Sequence, residues 1–144
     1  MLITIIAVGK LEQKFKEIFD IYNKKINLIA KLNIVEIKEI AIDNIDLKIK
    51  KETKLILEKI PKSSNVFLFS LKGKMFSSKE LSTFFETNSN LTFIIGGSNG
   101  VDEAKFDKKI CFSKLTFPHQ LFRIMAVEQI YRSLTIIKNI KYHK

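Results

Sequence analysis

The segment FIIGGSNG at Phe93–Gly100 decides how the chain is read. Phe93, Ile94 and Ile95 are residue types that pack well in strands, and Gly96 and Gly97 end the run with backbone that carries no side chain. A strand stopped by paired glycines is either a tight strand-to-helix turn or a place where backbone is brought against a ligand. The spacing G-G-S-N-G matches neither G-x-G-x-x-G nor G-x-x-x-x-G-K-[ST], so the two common phosphate cradles are absent. On this stretch alone both readings of the glycines stay open.

Outward from it, strand and helix patterns alternate. Leu91–Ile95 is preceded by Ser77-x-x-Glu80, a capping box that opens a helix carrying Leu81, Phe84 and Phe85. Before that, Val66–Leu71 reads as a strand, and Pro61 closes a helix that runs from a cap at Asp43 to about Ile60. Asn33–Ile40 is strand-like, Glu12–Ala30 carries Phe15, Ile18, Phe19, Tyr22 and Ile26 at helical spacing, and Leu2–Val8 is an apolar strand closed by Gly9. Beyond the glycines, Val101–Lys109 suggests a short helix, Ile110–Ser113 a fifth strand, and Pro118 the first turn of a long helix reaching about Ile137. This order predicts an α/β fold with a mainly parallel sheet and helices on both faces, whose ligands sit beyond the C-terminal strand ends. Gly96 and Gly97 lie at such an end. No repeat, linker or low-complexity stretch divides the chain, so residues 1–144 are expected to form a single domain.

Charge narrows the partners. Lys and Arg number 25 against 15 acids, a formal net charge of +10, which suits a polyanion. The excess leans to the second half, with 12 basic and 9 acidic residues up to Ile60 and 13 and 6 beyond it. Biased codon usage would also enrich lysine, so arginines and placed lysines carry more meaning than the total. Leu2–Val8 is far shorter than the roughly 20 residues that span a bilayer, and no membrane association is expected. The lone Cys111 sits in an apolar strand and reads as a small buried hydrophobe of a reducing, cytoplasmic compartment. No His, Cys or Asp cluster has metal-ligand spacing, and no Ser/His/Asp set stands out, which argues against metal chemistry and hydrolysis.

The densest polar set lies in SKLTFPHQLFRIMAVEQIYRSL, Ser113 to Leu134. A loop with Thr116, Pro118 and His119 enters a very apolar helix that holds Arg123, Glu128, Tyr131 and Arg132. Such a helix either fills a core or packs against another subunit. Glu128 and Arg132 are spaced i,i+4 in the favourable order and form either a structural bridge or part of a site. His119 is either a neighbour of the helix start or a catalyst.

The ordered set of AVGK at Ala7–Lys10, Tyr22 with Lys24 and Lys25, LKGK at Leu71–Lys74, IIGGSNG, LTFPHQLFR, EQIYR and the terminal YHK resembles the RlmH family, large-subunit rRNA pseudouridine methyltransferases of the SPOUT superfamily, over essentially the whole chain. The resemblance implies a C-terminal trefoil knot, a rare exception to unthreaded connections, that holds S-adenosylmethionine. It places the cofactor against Phe69, Gly97, Ser113, Lys114, Leu115, Thr116, Phe117 and Pro118. It also implies a homodimer with a shared pocket, acting on N3 of a pseudouridine in the helix 69 loop of 23S rRNA within the assembled ribosome. Tyr142 and His143 then become the catalytic candidates, placing or serving as the base, while Arg123, Arg132 and Lys144 bind phosphate or order the tail. Three positions depart from the family pattern: Ser70 stands for the usual Asp, Ser98 for Pro or Ala, and Lys141 for Pro. The competing expectations are a noncatalytic RNA-binding module and a knotted methyltransferase acting on another RNA atom, such as a ribose 2′-oxygen.

Overall fold

The computed structural model describes residues 1–144. Five parallel strands form one sheet in the order β2-β1-β4-β3-β5. They are β1 (Leu2–Val8), β2 (Lys31–Ile37), β3 (Asn65–Met75), β4 (Asn90–Ile95) and β5 (Lys109–Cys111). Four helices connect or follow them: α1 (Gln13–Asn27), α2 (Ile45–Lys59), α3 (Ser78–Thr87) and α4 (His119–Ile137).

Alternation along the central strands builds a core on each face. Ile3, Ile5 and Ala7 of β1, with Leu91, Phe93 and Ile95 of β4, meet Phe19 and Ile26 of α1, Leu81 and Phe85 of α3, and Val127 and Ile130 of α4. Ile6, Val8 and Ile94 point the other way, into a smaller core with Ile56 of α2 and Phe106. Period-two side chains on a sheet covered on both faces produce this division, and burial of large apolar side chains there stabilises the fold by about 1.5–3 kcal/mol each. Cys111 is buried, as its setting predicts.

Several boundaries differ from the sequence-based expectation. The cap of α2 is Asn44, whose side chain accepts the Leu47 N–H at 3.1 Å, and not Asp43. β2 stops at Ile37 because the Ile40 N–H leaves the ladder for the Glu52 carboxylate, 2.9 Å away on α2. The helix expected over Val101–Lys109 is a single 3-10 turn, Glu103–Lys105. The Asp102 N–H is tied to Thr53 Oγ1 at 2.9 Å, Phe106 is committed to the smaller core, and Lys108 already accepts from Leu68, so no length remains for a helix. β3 runs past Leu71 to Met75 because, after an irregularity between Phe69 and Lys74, it pairs again with Ile110 and Cys111 of β5.

The apolar surface of α4 is mostly consumed internally. Ile124, Ala126, Val127, Ile130 and Leu134 are buried in the larger core, and among the exposed apolar side chains of α1 and α4 are Ile18, Ile21 and Leu121. No helix is long and apolar enough to cross a membrane.

Candidate active site

Three backbone segments converge beyond the C-terminal ends of β3, β4 and β5 and enclose a cavity of about 500 Å³. The end of β3 contributes Phe69, Ser70 and Leu71; the glycine turn contributes Gly96, Gly97, Ser98 and Gly100; the β5–α4 loop contributes Ser113 and Leu115 to Pro118. Phe69, Gly97, Ser113, Leu115, Thr116, Phe117 and Pro118 are therefore brought together, although up to 49 residues separate them in the chain. Lys114, expected with them, is exposed and does not border the cavity. Ser70, Leu71, His119 and Phe122 border it as well. Of these, the sequence offered His119 as a neighbour of the helix start or a catalyst and Ser70 as a departure from the family pattern, but placed neither of them in the cofactor set.

One wall is aromatic. Phe69 packs face to face with Phe93 at 5.6 Å and edge-on against Phe112 at 5.1 Å and Phe122 at 5.2 Å. The opposite lining is backbone. Ser113 Oγ accepts the Leu115 N–H at 2.9 Å, while the N–H groups of Thr116 and Phe117 make no hydrogen bond within the chain. Unpaired backbone donors beside an apolar slot suit a ligand with a flat ring and polar edges.

The glycine turn is shaped from behind. Gly97 accepts the Gly100 N–H at 3.0 Å, and Gly100 has φ +80°, a left-handed conformation that favours glycine. A Cβ on Gly97 would lie 3.0 Å from Val8 Cγ1 and 3.5 Å from Glu52 Oε1, so its missing side chain leaves room for β1 and α2, and it is the Gly97 backbone that borders the cavity. α2 holds the turn and the segments beside it with three side chains. Lys48 Nζ donates to Asn99 at 2.9 Å and to Glu39 at 2.8 Å, Thr53 holds Asp102, and the buried Glu52 holds the 38–43 loop. Ser98, at a departure position, donates to the same Glu39 oxygen at 3.0 Å. The Lys48 and Ser98 hydrogen bonds hold the Glu39 carboxyl below its usual range, and Glu39 in turn raises the Lys48 ammonium. Ser70, the second departure, donates to Glu103. Lys141, the third, is exposed.

The arginines have separate fates. Arg123 is 1% exposed and cannot reach an RNA phosphate. Its Nη1 donates to Glu36 at 2.7 Å and its Nη2 to the carbonyls of Val8 at 3.2 Å and Gly9 at 2.9 Å, fastening α4 to the ends of β1 and β2. Burial lowers its pKa against the opposing pull of Glu36. The expected phosphate role of Arg123 is thus replaced by a structural one, because three acceptors at the sheet's end take both terminal nitrogens of the buried guanidinium.

Arg132 meets the tail instead. Glu128 Oε1 accepts from Arg132 Nη2 at 2.6 Å and from the Tyr142 hydroxyl at 2.9 Å, and Arg132 Nη1 lies 3.3 Å from His143 Nδ1. The guanidinium also covers the Tyr142 ring at 4.8 Å, and that ring stands edge-on to Tyr131 at 4.8 Å. Glu128 raises the pKa of Arg132, while burial, with hydrogen bonds to Tyr22 and Glu128, pushes the Tyr142 phenol well above its ordinary value. Tyr142 and His143 are therefore folded back on α4, and Lys144 is exposed at the end. A second cavity, of about 460 Å³, is lined by Glu128, Tyr22 and Met125 and shares Ile110, Phe112, Ser113 and Phe117 with the first. The tail thus sits against a cavity that adjoins the glycine-turn cavity through a common wall. No group of His, Cys, Asp and Glu is arranged as metal ligands.

Comparison with known proteins adds a separate line. The family model described as "Predicted SPOUT methyltransferase" matches residues 1–143. A protein of Metamycoplasma arthritidis named Ribosomal RNA large subunit methyltransferase H is 60% identical over 144 residues, covering all of both chains. Proteins of the same name from Mycoplasmopsis synoviae and Clostridium perfringens are 57% and 45% identical, again over the full length of both chains.

Proposed function

Because the chain belongs to the SPOUT methyltransferase family, we propose that it methylates large-subunit ribosomal RNA, at N3 of a pseudouridine in the helix 69 loop of 23S rRNA on the assembled ribosome. The observation that carries this reading is the cavity at the glycine turn, where three loops present backbone and an aromatic wall beyond a parallel sheet. Its volume of about 500 Å³ and its unpaired N–H groups at Thr116 and Phe117 fit S-adenosylmethionine. When bound, that cofactor supplies a methyl group made electrophilic by its sulfonium.

The chain's own residues then bind and orient. Phe69 and Phe122 offer apolar faces to an adenine, the 115–118 loop offers backbone groups to its edge, and Gly97 allows close approach of the turn. A trefoil knot in the C-terminal chain, as the family implies, would make this cradle rigid. Holding methyl donor and acceptor in line supplies much of the acceleration such a transfer needs. Lys144 and the lysine excess of the second half attract the phosphates.

A homodimer completes the proposal. Ile18, which lines the second cavity, is 45% exposed, and Ile21 one turn along α1 is 53% exposed, apolar surface suited to a second copy whose residues would close the shared site. Sedimentation at micromolar concentration should give twice the 16.7 kDa chain mass. The reaction itself is tested by mass spectrometry of rRNA nucleosides from cells with and without the gene. Loss of one methyl from the pseudouridine in helix 69 is expected. Loss at a ribose 2′-oxygen would change the target, and an unchanged rRNA would leave a noncatalytic RNA-binding module.

A further inference from the structure

The tail cluster carries a consequence for proton transfer. Glu128 uses one oxygen, Oε1, to accept from Arg132 Nε at 3.1 Å, from Arg132 Nη2 at 2.6 Å and from the Tyr142 hydroxyl at 2.9 Å. Its other oxygen accepts from Gln129 at 2.8 Å. Arg132 is thereby held with Nη1 turned to His143 Nδ1 at 3.3 Å. A guanidinium has only donors. In this contact His143 Nδ1 must therefore be the acceptor, its lone pair occupied, and the neutral ring carries its hydrogen on Nε2. Tyr142 is likewise spoken for, since its hydroxyl donates to a carboxylate. The Tyr142 hydroxyl therefore keeps its proton in that bond, and the outward face of His143 presents the Nε2–H donor and no basic lone pair.

We infer that Glu128 is a positioning residue which, through Arg132, locks His143 in the Nε2–H form, so that the tail serves the methyl transfer as a hydrogen-bond donor to the target base and not as its proton acceptor. This rests on the proposed reaction at an imide nitrogen. There, the N3–H bond breaks and its proton passes to solvent water. The electron pair left on N3 forms the new N–C bond as the donor's C–S bond breaks. Negative charge gathers on the two flanking carbonyl oxygens of the imide as the proton departs. A fixed N–H aimed at one of them stabilises that charge without any reorganisation at the moment of reaction, as preorganised donors do at oxyanions. His143 is exposed and so open to a substrate, and its anchor Glu128 lines the cavity that shares the Phe112, Ser113 and Phe117 wall with the cofactor cavity.

Two measurements test this. The chain contains only two histidines, so nitrogen NMR of uniformly labelled protein, with His119→Gln for assignment, reads the tautomer of His143 directly. An unprotonated Nδ1 and a protonated Nε2 are expected, and Glu128→Gln should collapse them to the averaged signals of a free imidazole. A protonated Nδ1 in the parental protein, or an unchanged tautomer in Glu128→Gln, overturns the inference. In single-turnover methylation of ribosomal subunits, His143→Gln keeps an amide N–H near the Nε2 position but has no titratable lone pair. It should stay within about tenfold of the parental rate while His143→Ala loses about a hundredfold or more, the usual worth of such a group. A His143→Gln rate as low as that of His143→Ala makes His143 the acceptor after all. If the parental protein methylates no rRNA, the proposed function fails, and the NMR result still decides the tautomer.

Discussion

A Cβ added to Gly73 would lie 2.6 Å from both the backbone nitrogen and the carbonyl carbon of Ile110. The extension of β3 past Phe69 can therefore close on β5 only where a residue lacks a side chain, and this closure places Leu71 and the Ser113–Pro118 loop on the same cavity. Backbone cannot yield as a flexible side chain can. Gly73→Ala is expected to cost about 2 kcal/mol or more through overpacking. Thermal denaturation should show the loss, and calorimetry should show weaker S-adenosylmethionine binding in the protein that remains folded. Unchanged binding would separate the β3–β5 closure from the cofactor cavity.

Gly97 tests the direction of its missing side chain. The added methyl of Gly97→Ala meets Val8 Cγ1 at 3.0 Å and pushes the turn toward the cavity. Cofactor affinity should fall about tenfold, and Val8→Ala in the same chain should recover most of it, a coupling expected of residues in contact. Calorimetric titration of the two single variants and the double variant reads this coupling. Additive losses would mean that Val8 does not set the position of the turn.

Replacement of Arg123 by Met removes the donors to the Val8 and Gly9 carbonyls and to Glu36. Leaving buried acceptors unpaired should destabilise the chain by about 3 kcal/mol, read as a lower urea midpoint. Because the guanidinium is buried, the salt dependence of RNA binding should keep its slope. A shallower slope would return Arg123 to the phosphate-binding set.

Tyr142 should ionise well above the ordinary phenol range, since burial and its hydrogen bonds to Tyr22 and Glu128 raise its phenol. A group whose folded pKa is raised contributes its stabilisation below the ordinary phenol range and loses it as pH climbs through the folded value. Phenolate absorbance should therefore show a late third of the titration that Tyr142→Phe removes and Glu128→Gln brings part of the way back. Three coincident ionisations would place the phenol in solvent.

Acid should loosen the glycine turn. Glu39, held below its usual range by Lys48 and Ser98, contributes above its unfolded pKa and loses that contribution as pH falls through its depressed folded value. The melting temperature of Lys48→Met should fall less steeply from pH 5 to 3 than that of the parental protein. Equal slopes would show that the Glu39 contacts add nothing to stability.

Local sequence determined the elements and their order. Near-continuous apolar runs in Leu2–Val8 and Leu91–Ile95, the capping box at Ser77 and Glu80, and Pro118 ahead of an apolar helix are each decided within a few residues, because such patterns act over one or two turns of chain. The glycine turn and the 113–118 loop were legible too, since glycine and proline punctuate the backbone wherever they stand. Partners distant in sequence were not. Arg123 reads as a surface cation until the fold brings Glu36, 87 residues away, and Val8, 115 residues away, onto its guanidinium. Gly97 reads as a ligand contact whose side is undefined until Val8 and Glu52 occupy the direction of its Cβ. The tail reads as a pair of catalytic candidates with no fixed position until Glu128 and Arg132, one helical turn apart on α4, receive Tyr142 and His143. Short-range patterns specify which backbone forms, whereas the direction and satisfaction of each polar group depend on what the sheet order sets beside it, and that only the tertiary structure decides.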